Sequence, residues 1–153
     1  MNDLAAVEQL ASALLRSVAP PARRKILTAI ARDIRRSQSD RIAAQKAPDG
    51  SAFAPRRPKP KKKGKLRQRR MFSKIRLAKH LRAQATTDEA TIGFSGPASR
   101  VARVHQLGLD DAPAPGMRKV RYTRRVLLGL TPTEVACAMD FLIGNIQSAG
   151  KTL

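Results

Sequence analysis

The stretch TPTEVACAMDFLIGNI, residues 131–146, carries the clearest helix signal in the chain. Threonine is a favoured N-cap, proline is tolerated at the first helical position, and a glutamate three residues after the threonine can close a capping box. The apolar residues that follow recur at helical spacing: Val135, Ala138, Met139, Leu142, Ile143 and Ile146. We therefore expect a C-terminal helix over residues 131–147 that buries this apolar face.

The opposite end of the chain, residues 1–46, predicts two more helices. Apolar residues in the first 18 positions fall three and four apart, which is the stripe of an amphipathic helix. Pro20-Pro21 interrupts this helix and can begin a second one, which we expect to reach about Gln45. Because the link between them is short, the two helices are expected to form a hairpin.

The middle of the chain, residues 71–130, predicts a mixture of sheet and helix. We expect a short helix at 71–77, strands at 81–85 and 90–94 forming a hairpin, a helix at 99–107 and a third strand at 119–123. Gly108 is expected to end the 99–107 helix. The predicted fold is α+β, with an N-terminal helical hairpin, a small antiparallel β-sheet and a C-terminal helix, in a single domain over residues 1–153.

A Pro-rich basic arm, residues 48–70, separates the helical hairpin from this mixed region. It opens on the predicted turn Pro48-Asp49-Gly50-Ser51 and ends in a basic run, residues 56–70, in which ten of fifteen residues are Lys or Arg and none is acidic. The ten are Arg56, Arg57, Lys59, Lys61, Lys62, Lys63, Lys65, Arg67, Arg69 and Arg70. We interpret them as a site for nucleic acid or for a protein partner.

Charge alone leaves three interpretations of the basic run. It can bind phosphates without sequence preference, dock on an acidic protein surface, or remain a solvated loop. The chain has four Phe, one Tyr and no Trp, so few rings are available to stack on single-stranded bases. No predicted helix-turn-helix carries base-reading side chains either. Binding without sequence preference is therefore the form of nucleic-acid recognition that the composition favours.

The sequence offers little for catalysis. His80 and His105 have no acidic neighbour in sequence, no histidine pair has metal-ligand spacing, and no glycine-rich loop or Gly-x-Ser-x-Gly motif is present. A metal-dependent nuclease would need a carboxylate cluster, and none is evident. The single cysteine, Cys137, is expected to be a small buried residue of the last helix. We expect no enzyme, no cofactor, no metal and no membrane span, and a protein made in the cytoplasm.

Five segments in a fixed order resemble the phage virion morphogenesis family. They are RIAAQKAPDGSAFAPR (41–56), MFSKIR (71–76), IGFSG (92–96), RVARVHQLG (100–108) and YTRRVLLGLT (122–131). The resemblance covers roughly residues 3 to 147. It implies a structural protein that completes the head-proximal end of a phage tail and enables head–tail joining. An alternative that the charge supports is a basic module that binds nucleic acid without sequence preference.

The resemblance also implies an assembly context. It implies a homo-oligomeric ring, six-fold to match the tail tube, located in the virion at the head-proximal end of the tail or neck and in the host cytoplasm during assembly. The implied partners are tail tube and sheath proteins, head–tail connector proteins, and genomic DNA in the lumen. A subunit interface is expected at His105, Gln106, Leu107 and Gly108, where glycine permits close backbone approach. No cofactor and no catalysis are implied.

Overall fold

The computed structural model describes residues 3–56 and 70–150. In chain order its elements are α1 (Asp3–Arg16), α2 (Pro20–Ala43), β1 (Leu81–Ala85), β2 (Ala90–Phe94), α3 (Pro97–Leu107), β3 (Asp110–Asp111), β4 (Val120–Arg121) and α4 (Pro132–Gly150). Strands β1 and β2 form one two-stranded sheet, and β3 and β4 form another. Helices at both ends and antiparallel pairs between them confirm the predicted α+β class.

The chain divides into two compact units that interleave in sequence. Unit 1 comprises Met1–Ser37, Ala83–Ile92 and Leu130–Leu153, and unit 2 comprises Gln38–Arg82 and Gly93–Gly129. Among the described residues, no helix is long and apolar enough to cross a membrane.

Unit 1 is held together by a core of aliphatic side chains from three helices. α1 packs against α4, and the buried cluster joins both to α2 through Leu15, Val18, Ile26, Leu27, Ile30 and Leu142. Burying each such side chain contributes about 1.5–3 kcal/mol. The helical spacing of the apolar residues in the sequence is therefore what brings α1, α2 and α4 together.

The N-terminus of α4 has the predicted capping box. The Thr131 amide donates to Glu134 Oε2 at 2.9 Å, and the Glu134 amide donates to Thr131 Oγ1 at 3.1 Å. The two residues thus satisfy each other's backbone N–H groups, which would otherwise lack a partner at a helix start.

The face that α4 buries differs in part from the prediction. Leu142 is buried, while Ala138, Met139 and Ile146 pack partly buried against the unit 1 core. Ile143 is 39% exposed, and Cys137 is exposed, so the expectation of a buried cysteine was wrong. Cys137 precedes Ala138, and one residue turns a helix by about 100°, so it lies to the side of the buried stripe.

Residues 71–80, which follow the basic run, form a series of turns. The prediction of a short helix at 71–77 was therefore wrong. Phe72 has a φ of 64°, a left-handed conformation that an α-helix cannot contain. Only scattered helical-type hydrogen bonds follow, such as Arg76 N–H to the Phe72 carbonyl at 3.2 Å and Leu77 N–H to the Lys74 carbonyl at 3.2 Å. The left-handed residue at 72 stops a helix from propagating through this segment.

The third predicted strand is shorter than expected and pairs elsewhere. Only Val120–Arg121 is extended, and it pairs antiparallel with Asp110–Asp111, with Asp110 opposite Arg121. It therefore forms a separate small ladder from the β1–β2 hairpin. A prediction from the sequence could not identify this partner, because residues 110–118 carry turn residues rather than a strand pattern.

Gly108 ends α3 as predicted, in the left-handed conformation at φ 65° and ψ 48°, with its N–H donating to the Val104 carbonyl. A Cβ at this position would lie 3.1 Å from Arg124 Cβ. Left-handed backbone is unfavourable for residues with a Cβ. We expect Gly108→Ala to lower the free energy of unfolding by about 1–3 kcal/mol, measured by urea denaturation.

The matched control for this change is Gly93→Ala. A Cβ at Gly93 would meet nothing within 4 Å, and its backbone is not left-handed. This control should be neutral or slightly stabilising, since alanine restricts the unfolded chain. An equal decrease in the free energy of unfolding of the two variants would show that the left-handed conformation of Gly108 is not the cause of the decrease.

Candidate partner-binding surfaces

The two ends of the basic run are the part of it that the structure describes. Arg56 and Arg70 are both exposed. The other eight predicted residues lie outside the described residues: Arg57, Lys59, Lys61, Lys62, Lys63, Lys65, Arg67 and Arg69. What the structure establishes is how the chain is fixed immediately before and after them, within unit 2.

The chain entering the basic run is held by Arg125. Its Nε donates to the Ala54 carbonyl at 2.7 Å, and its NH2 group donates to the Pro55 carbonyl at 2.9 Å. A third bond, from NH1 to the Thr123 carbonyl, measures 3.2 Å. Arg125 is only 7% exposed, and burial lowers the pKa of its guanidinium. Carbonyl dipoles therefore surround a buried positive charge and fix the backbone of the two residues that precede Arg56.

The chain leaving the basic run is held by Gln45. Its side-chain amide accepts from the Met71 N–H at 2.8 Å and donates to the Met71 carbonyl at 2.9 Å. The Gln45 backbone carbonyl accepts from the Phe53 N–H at 2.8 Å. One residue thus contacts the chain on both sides of the run. Gln45 itself has a φ of 59°, which ends α2 and directs the backbone into the turn at 48–51.

A row of aromatic rings lies beside these two anchors. The centroids of Phe53 and Phe72 are 5.6 Å apart, those of Phe72 and His105 are 4.8 Å apart, and those of His105 and Tyr122 are 5.1 Å apart, all edge to face. Such pairs contribute about 0.5–1.5 kcal/mol each beyond their burial. Because Phe53 and Phe72 are in contact, the basic run begins and ends at one place on unit 2.

His105 is the centre of this row and is kept neutral there. Burial first, and the nearby Arg125 charge second, lower the pKa of His105 to about 4 from its ordinary 6.5. The Arg125 NH1 group lies 3.3 Å from His105 Nδ1, an arrangement in which the guanidinium donates to the neutral ring. A hydrogen bond with the Thr123 backbone acts in the opposite direction.

The lowered pKa of His105 predicts that the protein loses stability as the pH falls from about 6.5 to about 4. In this window the unfolded chain binds a proton at His105 and the folded chain does not. The full shift corresponds to roughly 3 kcal/mol, and solvent screening of a half-buried ring reduces the expected loss to about 1–2 kcal/mol. Urea denaturation across this range should show a weaker pH dependence for His105→Phe. Identical profiles would contradict the prediction.

The predicted subunit-interface residues differ in what they present to solvent. Gln106 is used inside unit 2, where its Oε1 accepts from the Leu127 and Leu128 N–H groups at 2.7 and 3.0 Å. Gly108 is buried and packs on Arg124, and His105 lies in the aromatic row. Leu107 is 52% exposed. Leu107 is therefore the one of the four whose side chain is mostly available to a partner.

An apolar surface surrounds Leu107. A groove of about 240 Å³ lies beside its side chain. The groove is lined by Phe94, Ser99, Ala102, Arg103, Gln106, Leu107 and Leu128. We call Leu107 and this groove the α3 apolar surface.

No metal site accompanies these features in residues 3–56 and 70–150. No three His, Cys, Asp or Glu side chains there are grouped so that they could hold a metal ion. Instead of grouping around a metal site, some of the acidic residues form ion pairs with arginine: Asp111 with Arg100 and Asp88 with Arg23.

Sequence reasoning did not identify the two anchors. Gln45 was expected only as the last residue of a helix, and Arg125 is one arginine among many. The sequence does contain a signal for Arg125, since this residue directly precedes the apolar segment Val126-Leu127-Leu128. A charge that is buried with such a segment requires hydrogen-bond acceptors. The partners themselves are about 70 residues away, so the sequence does not reveal them.

Comparison with known proteins gives two matches that agree with each other. The profile of the phage virion morphogenesis family matches residues 2–146. Tail completion protein S of Escherichia phage P2 is 33% identical over 150 residues, an alignment that covers 96% of this chain and 99% of the relative. No solved structure matches the chain.

Proposed function

Because the chain belongs to the phage virion morphogenesis family, a family of structural proteins and not of enzymes, we propose that it completes the head-proximal end of a phage tail and enables the tail to join a filled head. The observation that carries this proposal is the match with a tail completion protein over 96% of this chain and 99% of the relative. In this role the protein acts through complementary surfaces.

We further propose that the protein works as a homo-oligomeric ring, six-fold to match the tail tube. A chain with a formal net charge of +20 repels its own copies, so self-association needs apolar contact or a polyanion between subunits. The α3 apolar surface offers such a contact in unit 2. Tail tube and sheath proteins on one side and head–tail connector proteins on the other are the remaining partners of the proposed ring.

Two alternative positions are open to the basic run in such a ring. It can face the lumen and meet DNA phosphates, or lie on an acidic surface of a neighbouring protein. The anchors at Arg125 and Gln45 support either arrangement, because they fix where the charge emerges from unit 2. A ring around the path of the genome must let DNA slide, which diffuse charge permits and a tight grip does not.

The completion role is tested by electron microscopy of lysates from a phage or prophage with a stop codon early in this gene. Filled heads beside detached tails are the expected result. Normal joined particles would reject the role.

The ring is tested by Leu107→Asp, which places a charge on the α3 apolar surface. We expect this variant to sediment as a smaller species than the wild type, and complementation of the stop-codon phage to fall at least about tenfold, because a buried unpaired carboxylate costs several kcal/mol. Leu77→Asp is the matched control, since Leu77 is 42% exposed in the same unit. Sedimentation of both variants like the wild type would exclude this surface as the subunit contact.

The alternative function, a nucleic-acid-binding module without sequence preference, is supported by the charge of the basic run. It predicts strong binding to duplex DNA or RNA with a steep salt dependence, whatever the oligomeric state. Normal virion assembly in the stop-codon phage together with such binding would favour this alternative over tail completion.

A further inference from the structure

We propose that helix α2 carries a second binding site for the phosphate backbone of duplex DNA, separate from the basic run. The site consists of Arg24, Lys25, Thr28, Arg32 and Arg36, which we call the α2 basic face. All five belong to unit 1, whereas Arg56 and Arg70, the described ends of the basic run, belong to unit 2. The inference does not depend on the assembly role, and either can fail without the other.

The α2 basic face borders a shallow depression of about 640 Å³. Three of the residues that line it are cationic and none is acidic: Pro20, Pro21, Arg24, Lys25, Thr28, Ala29, Arg32 and Thr87. The hydroxyl hydrogens of Thr28 and Thr87 are donated elsewhere, to the Arg24 carbonyl at 2.7 Å and to Asp88 Oδ2 at 2.8 Å, so the cationic side chains supply the contacts to a phosphate. The depression is therefore positive in charge and wide enough for an anionic group to approach the arginines.

The residues of this face are regularly spaced. Arg24, Thr28, Arg32 and Arg36 follow one another at intervals of four residues, or about 6 Å along the helix axis, so the row is about 18 Å long. Each step of four residues also turns by about 40°, so the row winds slowly around the helix. A row of this length matches an extended polyanion better than a single small anion.

The positive charges of this face are not neutralised within the part of the chain that the structure describes. Arg24, Lys25, Arg32 and Arg36 are all exposed, and none forms an ion pair there. The neighbouring Arg23 differs, because it pairs with Asp88 at 3.3 Å. Of the nearby acids, Asp33 lines a different cleft, with Ile30 and Phe141.

Two acidic residues, Asp88 and Glu89, oppose the site at one edge. The Asp88 carboxylate accepts from the hydroxyl of Thr87, which lines the depression, and pairs with Arg23. Glu89 lines an adjacent depression together with Arg24 and Thr28, so it also reduces the positive potential at that edge. Arg32 and Arg36 lie two and three turns further along α2, away from Glu89. Repulsion of a phosphate by Glu89 is therefore confined to the Arg24 end.

The composition of the face favours DNA over an acidic protein as the partner. Protein interfaces have an apolar, often aromatic centre and are depleted in lysine. The α2 basic face has no large apolar residue, and the apolar residues beside it are only Pro20, Pro21 and Ala29. DNA-binding surfaces are more polar and more positive, and arginine is well suited to phosphate. Pro20 and Pro21 supply no N–H groups, so the side chains provide the attraction.

The test is fluorescence anisotropy of the full-length protein with a labelled 20-base-pair duplex, titrated at salt concentrations between 50 and 300 mM. The variant Arg24→Gln/Lys25→Gln/Arg32→Gln removes three charges from the face. The control Lys79→Gln/Arg82→Gln/Arg118→Gln removes the same number and kinds of charge from exposed positions of unit 2. These side chains make no ion pairs among the described residues, so both variants should fold, which circular dichroism checks.

We expect the slope of log K against log salt to fall by about 2–3 in the face variant, since each lost phosphate contact removes about 0.9 from the slope. Affinity at 0.1 M salt should fall about tenfold for each contact, and the control should change the slope by less than about 1. Equal slopes in the two variants, or no duplex binding by the wild type, would overturn the proposal. Competition by a polyglutamate peptide as strong as by charge-matched duplex would also overturn it, in favour of an acidic protein.

Discussion

Replacing Arg125 with methionine is expected to lower the free energy of unfolding by about 3 kcal/mol. Methionine has a similar length but no donors, so the carbonyls of Ala54, Pro55 and Thr123 lose their partner. Hydrogen bonds to a charged group contribute about 1.5–3 kcal/mol each, and part of this loss is recovered because a buried charge is removed. Urea denaturation at a fixed protein concentration measures the change, since self-association would otherwise contribute.

The matched control is Arg124→Met. Arg124 is exposed and makes a single 3.3 Å hydrogen bond to the Gln106 carbonyl, so its loss should cost less than about 1 kcal/mol. Hydrogen exchange gives a second measurement: the Phe53 amide, which donates to the Gln45 carbonyl, should exchange faster in Arg125→Met and at an unchanged rate in Arg124→Met. Equal stability and equal exchange in the two variants would refute the assignment of Arg125 as the anchor of the basic run.

Leu142→Ala is expected to lower the free energy of unfolding by about 2–5 kcal/mol. Leu142 is 2% exposed and joins α4 to the buried residues of α1 and α2, so truncation leaves a cavity between three helices. For a chain of this size each kcal/mol shifts the melting temperature by about 2–4 °C. Calorimetry should therefore show a melting temperature lower by about 5 °C or more.

The residue that follows provides the control. Ile143 is 39% exposed, and Ile143→Ala removes the same class of side chain from the solvent side of α4. We expect this change to cost less than about 1 kcal/mol. A loss as large as that of Leu142→Ala would mean that Ile143 is covered in the folded protein, for instance by another copy of the chain.

Features that depend on neighbours in sequence were predicted from the sequence. The capping box of Thr131 and Glu134 needs only residues three apart, and the left-handed Gly108 ends a helix that immediately precedes it. The apolar spacing that defines α1, α2 and α4 is equally local. In each case the interacting groups are placed by the helix geometry itself.

Features that depend on distant partners were missed or wrong. The exposure of Cys137 depends on which side of α4 meets the core, and the left-handed Phe72 belongs to a segment that packs on Phe53 and His105. The interface prediction at residues 105–108 and the role of the basic run stay predictions. What the structure adds is that Leu107 is exposed, and that Gln45 and Arg125 fix both ends of the run.

The sequence by itself determined the helices, the α+β class, the concentration of positive charge and the resemblance to a family of virion morphogenesis proteins. These follow from composition, from spacing over a few residues and from the order of short segments. Only the tertiary structure decided that the basic run begins and ends at one place. That closure depends on hydrogen bonds such as that from Arg125 to Ala54, across 71 residues of chain, which form only after the fold has brought buried carbonyls and a buried charge together.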